Sequence, residues 1–245
     1  MGFSNQRGLH PSGEDRVLVI MAKAPRPGAV KTRLVSDLSP TAVTDFYCCL
    51  LGDTLDLARS LDDVDVAIMC PDSDVKELEQ LAGNDVRVVA QDGDGLAAGL
   101  TSVFKRFTQN NRHTVAFNSD SPHLPGSVLM GAFETLVSHD VVVGPTHDGG
   151  YYLVGAKTSH PALFANDGMG TRSALEMLLA RARDLELSVG LVDSFYDIDV
   201  AEDLTRLAAE LRLAPSKAPR TSAWLKHRLA SEQLQGSTEK TGRGN

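Results

Sequence analysis

Apolar residues along this chain fall into two alternating patterns. Val17-Leu18-Val19-Ile20-Met21-Ala22 is a continuous apolar run, the signature of a strand buried on both faces. Runs of the same kind recur at Val64–Met69, Val86–Val89, Thr114–Phe117 and Val141–Val143, followed by Tyr151–Val154 and Leu187–Val192. Between them lie segments with helical spacing: Ala42–Leu61, Val75–Leu81, Leu96–Phe107, Ser127–Val137, Ser173–Arg183 and Ala201–Leu211. Strand and helix alternate, which predicts an α/β fold built as a three-layer α/β/α sandwich around a mostly parallel sheet. One connection breaks the rule. Only Pro145–Gly150 separates the fifth run from the sixth, too few residues for a helical crossover, so an antiparallel or edge-inserted strand is expected there.

The polar start, residues 1–15, reads as a disordered leader, and a single domain without internal repeats spans 16–213. Beyond it, in 214–245, come a Pro-bearing linker, a short helix over Ser222–Glu232 and a disordered tail. Composition narrows the class: with 42% hydrophobic and 23% charged residues the chain is globular. Twenty-four Lys and Arg stand against 32 Asp and Glu, a net charge of -8, which argues against a nucleic-acid or anionic-membrane surface. Any anion is therefore held locally. No run reaches the about 18 apolar residues of a membrane span, and the leader has no signal-peptide core. Cys48, Cys49 and Cys70 lack disulfide or metal spacing and read as free thiols of a cytoplasmic protein. Oligomeric state is left open, with the outer face of Ala42–Leu61 and the helix around Trp224 as candidate pairing surfaces.

In open α/β sheets ligands bind beyond the carboxyl ends of the strands, so the segments after each run are where chemistry is sought. After the first comes Lys23-Ala24-Pro25-Arg26-Pro27-Gly28-Ala29-Val30-Lys31-Thr32-Arg33, four cations in eleven residues of an acidic chain. Stiffened by proline, with Gly28 letting backbone approach a ligand, this loop reads as a phosphate cradle. It is not a Walker loop, because Pro25 stands where the first glycine belongs. After the third run, Gln91-Asp92-Gly93-Asp94-Gly95 feeds a helix of small residues, where a flat base can lie while the Gln91 amide reads its edge. Asp120 follows the fourth run and Asp199 precedes the last helix. Each is a hard-oxygen ligand for Mg²⁺ or Mn²⁺ or else a helix cap, and Glu202 fits the partner position of a capping box with Asp199.

In these stretches the chain resembles the nucleotide-diphospho-sugar transferase superfamily, the Rossmann-like GT-A fold, and within it small bacterial proteins labelled arsenosugar-biosynthesis-type glycosyltransferases. The resemblance runs from about Arg16 to Leu213. It is carried by Met21–Gly28 with Lys31-Thr32-Arg33-Leu34, by Ser119-Asp120-Ser121-Pro122, by Gly144–Gly155 and by Asp197-Ile198-Asp199. More distantly the chain is similar to 2-phospholactate and molybdopterin guanylyltransferases. The resemblance implies that Lys23, Lys31 and Arg33 hold the nucleotide phosphates, that Gln91 and Gly95 lie by the base, and that Asp120 and Asp199 hold the cation, with Ala22, Gly28 and Thr32 as further nucleotide-binding positions. This chain departs from the family at His123, where the family has Asp, and at Met169, near a usual Trp. His123 in that place removes an acidic group from the rim.

Two reactions fit this inventory. Glycosyl transfer from a nucleotide sugar to a small-molecule hydroxyl needs a general base, which Asp148 supplies beside an acceptor pocket of His147, Gly149, Gly150 and Tyr151, with Lys31 assisting departure of the phosphate. Nucleotidyl transfer from a nucleoside triphosphate to a phosphorylated molecule needs no base but more cations. A non-catalytic nucleotide-binding protein is the third reading.

Overall fold

The computed structural model describes residues 15–165, 170–171 and 173–229. The expected leader up to Glu14, the departure at Met169, Arg172 and the tail beyond 229 lie outside the described residues. Seven strands form one sheet: β1 (Arg16–Met21), β2 (Asp65–Cys70), β3 (Arg87–Ala90), β4 (His113–Asn118), β5 (Val141–Pro145), β6 (Tyr151–Ala156) and β7 (Val189–Leu191). Helices α1 (Pro40–Arg59), α2 (Val75–Ala82), α3 (Gly95–Phe107), α4 (Gly126–Ser138), α5 (Ala174–Asp184) and α6 (Ala201–Leu213) connect them. A further helix, α7, spans 219–229 and begins three residues before the expected Ser222.

The spatial order is β3-β2-β1-β4-β6-β5-β7. Strand β6 lies between β4 and β5 and is antiparallel to both, which is how the short Pro145–Gly150 connection is accommodated. All other pairings are parallel. The chain therefore leaves β1 toward β2 and β3 on one side and returns to β4 on the other. The carboxyl ends of β1 and β4 flank this reversal, where a crevice forms.

Both sheet faces are covered because the central strands are apolar on both. Leu18 and Ile20 pack with Tyr47, Leu51, Leu78, Leu129 and Phe133 of α1, α2 and α4. On the opposite face Val17 and Val19 pack with Leu100, Phe104 and Leu178 of α3 and α5. A third cluster lies outside the sandwich, where Phe46 and Leu50 of α1 meet Leu207, Leu211 and Leu225 of α6 and α7. Phe46 and Trp224 rings lie 4.8 Å apart. Helix α1 and the helix around Trp224, both expected to offer pairing surfaces, thus contact each other inside one chain through the buried side of α1.

Candidate active site

The loop after β1 is built to hold a shape. Asp74, at the start of α2, accepts from the Ala24 amide at 2.9 Å and from Arg26 at 2.7 Å, while Arg26 also reaches Glu77 and the Ser73 carbonyl. Arg26 is therefore a brace of the loop and not a phosphate ligand. Gly28 takes φ +77° with open space around its Cβ position, so it serves the turn; it does not line the cavity, contrary to the expected approach to a ligand. Lys31 is at φ 45°, left-handed and costly for a lysine, and opens the short 3-10 helix Thr32–Ser36.

That backbone turns the Lys31 side chain inward, where it is only 6% exposed. Its ammonium contacts Asp120 after β4 and lies 2.9 Å from Asp199 Oδ1; Arg33 takes the other Asp199 oxygen at 3.0 Å. Burial works against a charge there, but the carboxylates of Asp120 and Asp199 outweigh it and hold Lys31 above the ordinary lysine range. Neither carboxylate is a helix cap. The amides of Asp199 and Val200 donate to Asp203, so Asp203 and not Glu202 closes the start of α6.

These groups border a cavity of about 540 Å³. Ala22, Lys23, Lys31, Thr32, Arg33, Gln91 and Gly95 line it together with Asp120 and Asp199, which unites the expected phosphate, base and cation residues except Gly28. Gln91 braces the glycine turn: its side-chain nitrogen donates to the carbonyls of Gly93 and Gly95. Its carbonyl end lies against Gly99, where an added Cβ would stand 2.7 Å away and push the Gln91 amide aside.

His147, Gly149, Gly150 and Tyr151 do not line this cavity. They occupy the β5–β6 turn and its exit, where the Asp148 carboxylate accepts from Thr146 at 2.6 Å and from the Gly150 amide at 3.3 Å. Tyr151 packs toward α3 and α5, and Tyr152 is buried with its hydroxyl on the Asp193 carbonyl. The turn is tied to the acidic segment by the Thr146–Phe195 bridge and by the His147 amide on the Phe195 carbonyl. Asp148 is thereby held beside the strand-like stretch bearing Asp197 and Asp199.

Two residues of the site were not legible as such. Tyr47 lines the cavity, shares a 2.8 Å hydrogen bond with Ser119 and accepts from the Lys23 amide; burial raises its phenol to about 12. Inside an amphipathic helix it looked like core. Asp197 accepts from Asn118, and burial, then the neighbouring Asp120 carboxylate, raise it to about 8. Its signal was the period-two spacing with Asp199 around the fully buried Ile198. His123 turns inward, 1% exposed, its ring 4.5 Å from that of Tyr196. It leaves the rim altogether, so it is not a replacement for a rim carboxylate.

Among the described residues no group of three or more His, Cys, Asp or Glu side chains is placed to hold a metal ion. Asp120 Oδ1, however, is buried with no hydrogen-bond partner. Two carboxylates with one open oxygen fit a cation shared with a bound phosphate, the usual Mg²⁺ arrangement, and do not fit a site complete in protein ligands.

Residues 54–171 match a family described as "Uncharacterized protein conserved in bacteria (DUF2064)". No curated protein matches the chain in sequence. Among solved structures it is similar to a candidate nucleotide-diphospho-sugar transferase from Desulfovibrio desulfuricans G20, with 25% identity, TM-score 0.81 and coverage of 90% of this chain and 96% of that one. It is similar in fold to 4-diphosphocytidyl-2C-methyl-D-erythritol synthase from Anaerococcus prevotii DSM 20548, with 12% identity, TM-score 0.55 and coverage of 81% and 97%. A nucleotidyl transferase from Methanothermobacter thermautotrophicus aligns with 16% identity, TM-score 0.54 and coverage of 82% and 99%. The likeness to the Desulfovibrio protein supports a transferase, and the other two show the fold. Over residues 54–171 the chain is thus similar to the DUF2064 family, and its fold matches that of the candidate nucleotide-diphospho-sugar transferase.

Proposed function

We propose that the protein is a cytoplasmic, divalent-cation-dependent glycosyltransferase that passes the sugar of a nucleotide-diphospho-sugar to the hydroxyl of a small molecule. The observation that carries this reading is the meeting of Lys31 with Asp120 and Asp199 on the wall of the cavity, phosphate-binding and cation-binding groups in one place. Lys23, Lys31 and Arg33 bind the diphosphate, and Ala22, Thr32, Gln91 and Gly95 border the nucleoside. Bound to Asp120 and Asp199, Mg²⁺ or Mn²⁺ supplies charge neutralisation to the departing nucleotide. Asp148 takes the proton of the acceptor hydroxyl, with His147, Gly149, Gly150 and Tyr151 around the acceptor. With Arg26 committed to Asp74 and Glu77, three cations of the loop face the cavity, a number suited to two phosphates rather than three.

Nucleotidyl transfer with pyrophosphate release is the second reading, favoured by the position of Asp148 outside the cavity, since a phosphate nucleophile needs no base. The test is incubation with nucleotide sugars and with nucleoside triphosphates, each with Mg²⁺ or Mn²⁺, reading binding by thermal shift and products by chromatography. Release of nucleoside diphosphate, lost in Asp148→Asn while the donor still binds, supports glycosyl transfer. Pyrophosphate release that survives Asp148→Asn supports the second reading, and binding without any product leaves a nucleotide-binding protein.

A further inference from the structure

We propose that Lys31 is an exchangeable occupant of the cation site: without ligand its ammonium holds the two carboxylates that a divalent cation needs, and nucleotide phosphates draw it away. The inference rests on the nucleotide-and-cation reading above. Both oxygens of Asp199 are engaged by cations, Oδ1 by Lys31 at 2.9 Å and Oδ2 by Arg33 at 3.0 Å. On Asp120, Lys31 takes Oδ2 and leaves only Oδ1 without a partner. The Lys31 side chain is 6% exposed, against 65% for Arg33, so the buried half of this contact is the lysine. A dication and an ammonium on the same oxygens repel, and the metal arriving alone must displace Lys31 from both carboxylates that neutralise it. A polyphosphate supplies another anion for the lysine and brings oxygens for the metal in the same step. The Lys31 backbone is fixed between the Gly28 turn and Thr32–Ser36, so the exchange is a swing of one flexible side chain and needs no loop movement.

The consequence is order: the metal alone binds weakly, and nucleotide strengthens it. Mn²⁺ titration of the nucleotide-free full chain, read by electron paramagnetic resonance of free Mn²⁺, tests this with Lys31→Met. The variant is expected to bind Mn²⁺ tighter than the unaltered protein by about tenfold or more, the size of an ordinary coupling between two sites. The gain is expected to vanish in Lys31→Met/Asp120→Asn. Lys23→Met, which removes a cation from the same wall but none from the carboxylates, is the control. Equal gains in Lys23→Met and Lys31→Met, or no gain in Lys31→Met, overturn the proposal. Lys31→Gln, expected to gain in the same direction, replaces Lys31→Met if that variant does not fold. Titrating the unaltered protein with a nucleotide sugar or triphosphate separates the two readings. Nucleotide binding without a Lys31→Met gain sinks the exchange alone, whereas a Lys31→Met gain without nucleotide binding keeps the competition and sinks the nucleotide reading.

Discussion

His123 shows how one side chain can be read correctly in chemistry and wrongly in place. Its ring lies tilted against Tyr196, and neither ring nitrogen has a hydrogen-bond partner, so burial lowers it to about 4. Glu210 and Asp120 pull upward and Lys217 and Arg206 downward, and burial prevails over them. In the unfolded chain it protonates below about 6.5. The folded state therefore keeps its full stability above that pH and loses it as pH falls toward the folded value. Urea unfolding at neutral and mildly acidic pH should show that loss in the unaltered protein and a smaller one in His123→Phe, which keeps an aromatic ring against Tyr196; an equal loss in both would acquit His123. Asp74 is the counterpart on the phosphate loop. Asp74→Ala strands the buried Ala24 amide and should cost about 1–3 kcal/mol of stability. It should also weaken donor binding by loosening the loop, which denaturant unfolding and ligand titration measure separately. Neither role was legible, because position 74 opens an ordinary helix and Arg26 looked like one more phosphate cation.

At the level of elements the sequence was more transparent. Each of the seven strand runs and six helical segments is present, since apolar periodicity records burial directly. The exceptional strand was legible from the length of its connection, but its place between β4 and β5 was not. That insertion demands small residues: at Gly155 an added Cβ would lie 2.8 Å from Val142 Cγ1 and 3.0 Å from the Thr114 carbonyl. Gly155→Ala should therefore destabilise by about 1–3 kcal/mol through overpacking, and an unchanged denaturation midpoint would contradict this. Helix α7 is held by a carboxylate from α1. Asp53 is fully buried and accepts from the amides of Thr221 at 2.8 Å and Arg220 at 3.1 Å, at the positive end of that helix. Asp53→Ala should raise hydrogen exchange in 219–229 more than in the sheet, and uniform protection would show that apolar contacts suffice.

Across the whole molecule the site follows from strand order. The first and fourth strands are neighbours at the reversal, which sets the loop bearing Lys31 against the segment bearing Asp120. The segment after β7 adds Asp199, 168 residues from Lys31. A donor nucleotide with Mg²⁺ at a hundred times its dissociation constant should stabilise the native state by about 2.7 kcal/mol, raising the melting midpoint by about 2–4 °C per kcal/mol for a chain of this size. Asp120→Ala should abolish the metal-dependent part of the rise, and calorimetry with and without chelator reads it.

The sequence by itself determined the elements, their order, the unusual fifth-to-sixth connection and the inventory of cations and carboxylates, because hydrophobic period and side-chain chemistry are local properties. The tertiary structure alone decided the partners. It committed Arg26 to Asp74, set Lys31 between two carboxylates, let Asp203 cap α6, turned His123 inward and closed α7 over α1. Those contacts depend on which strands adjoin and how far the chain travels between them, and a pattern of apolar residues specifies that each strand is buried without specifying its neighbour.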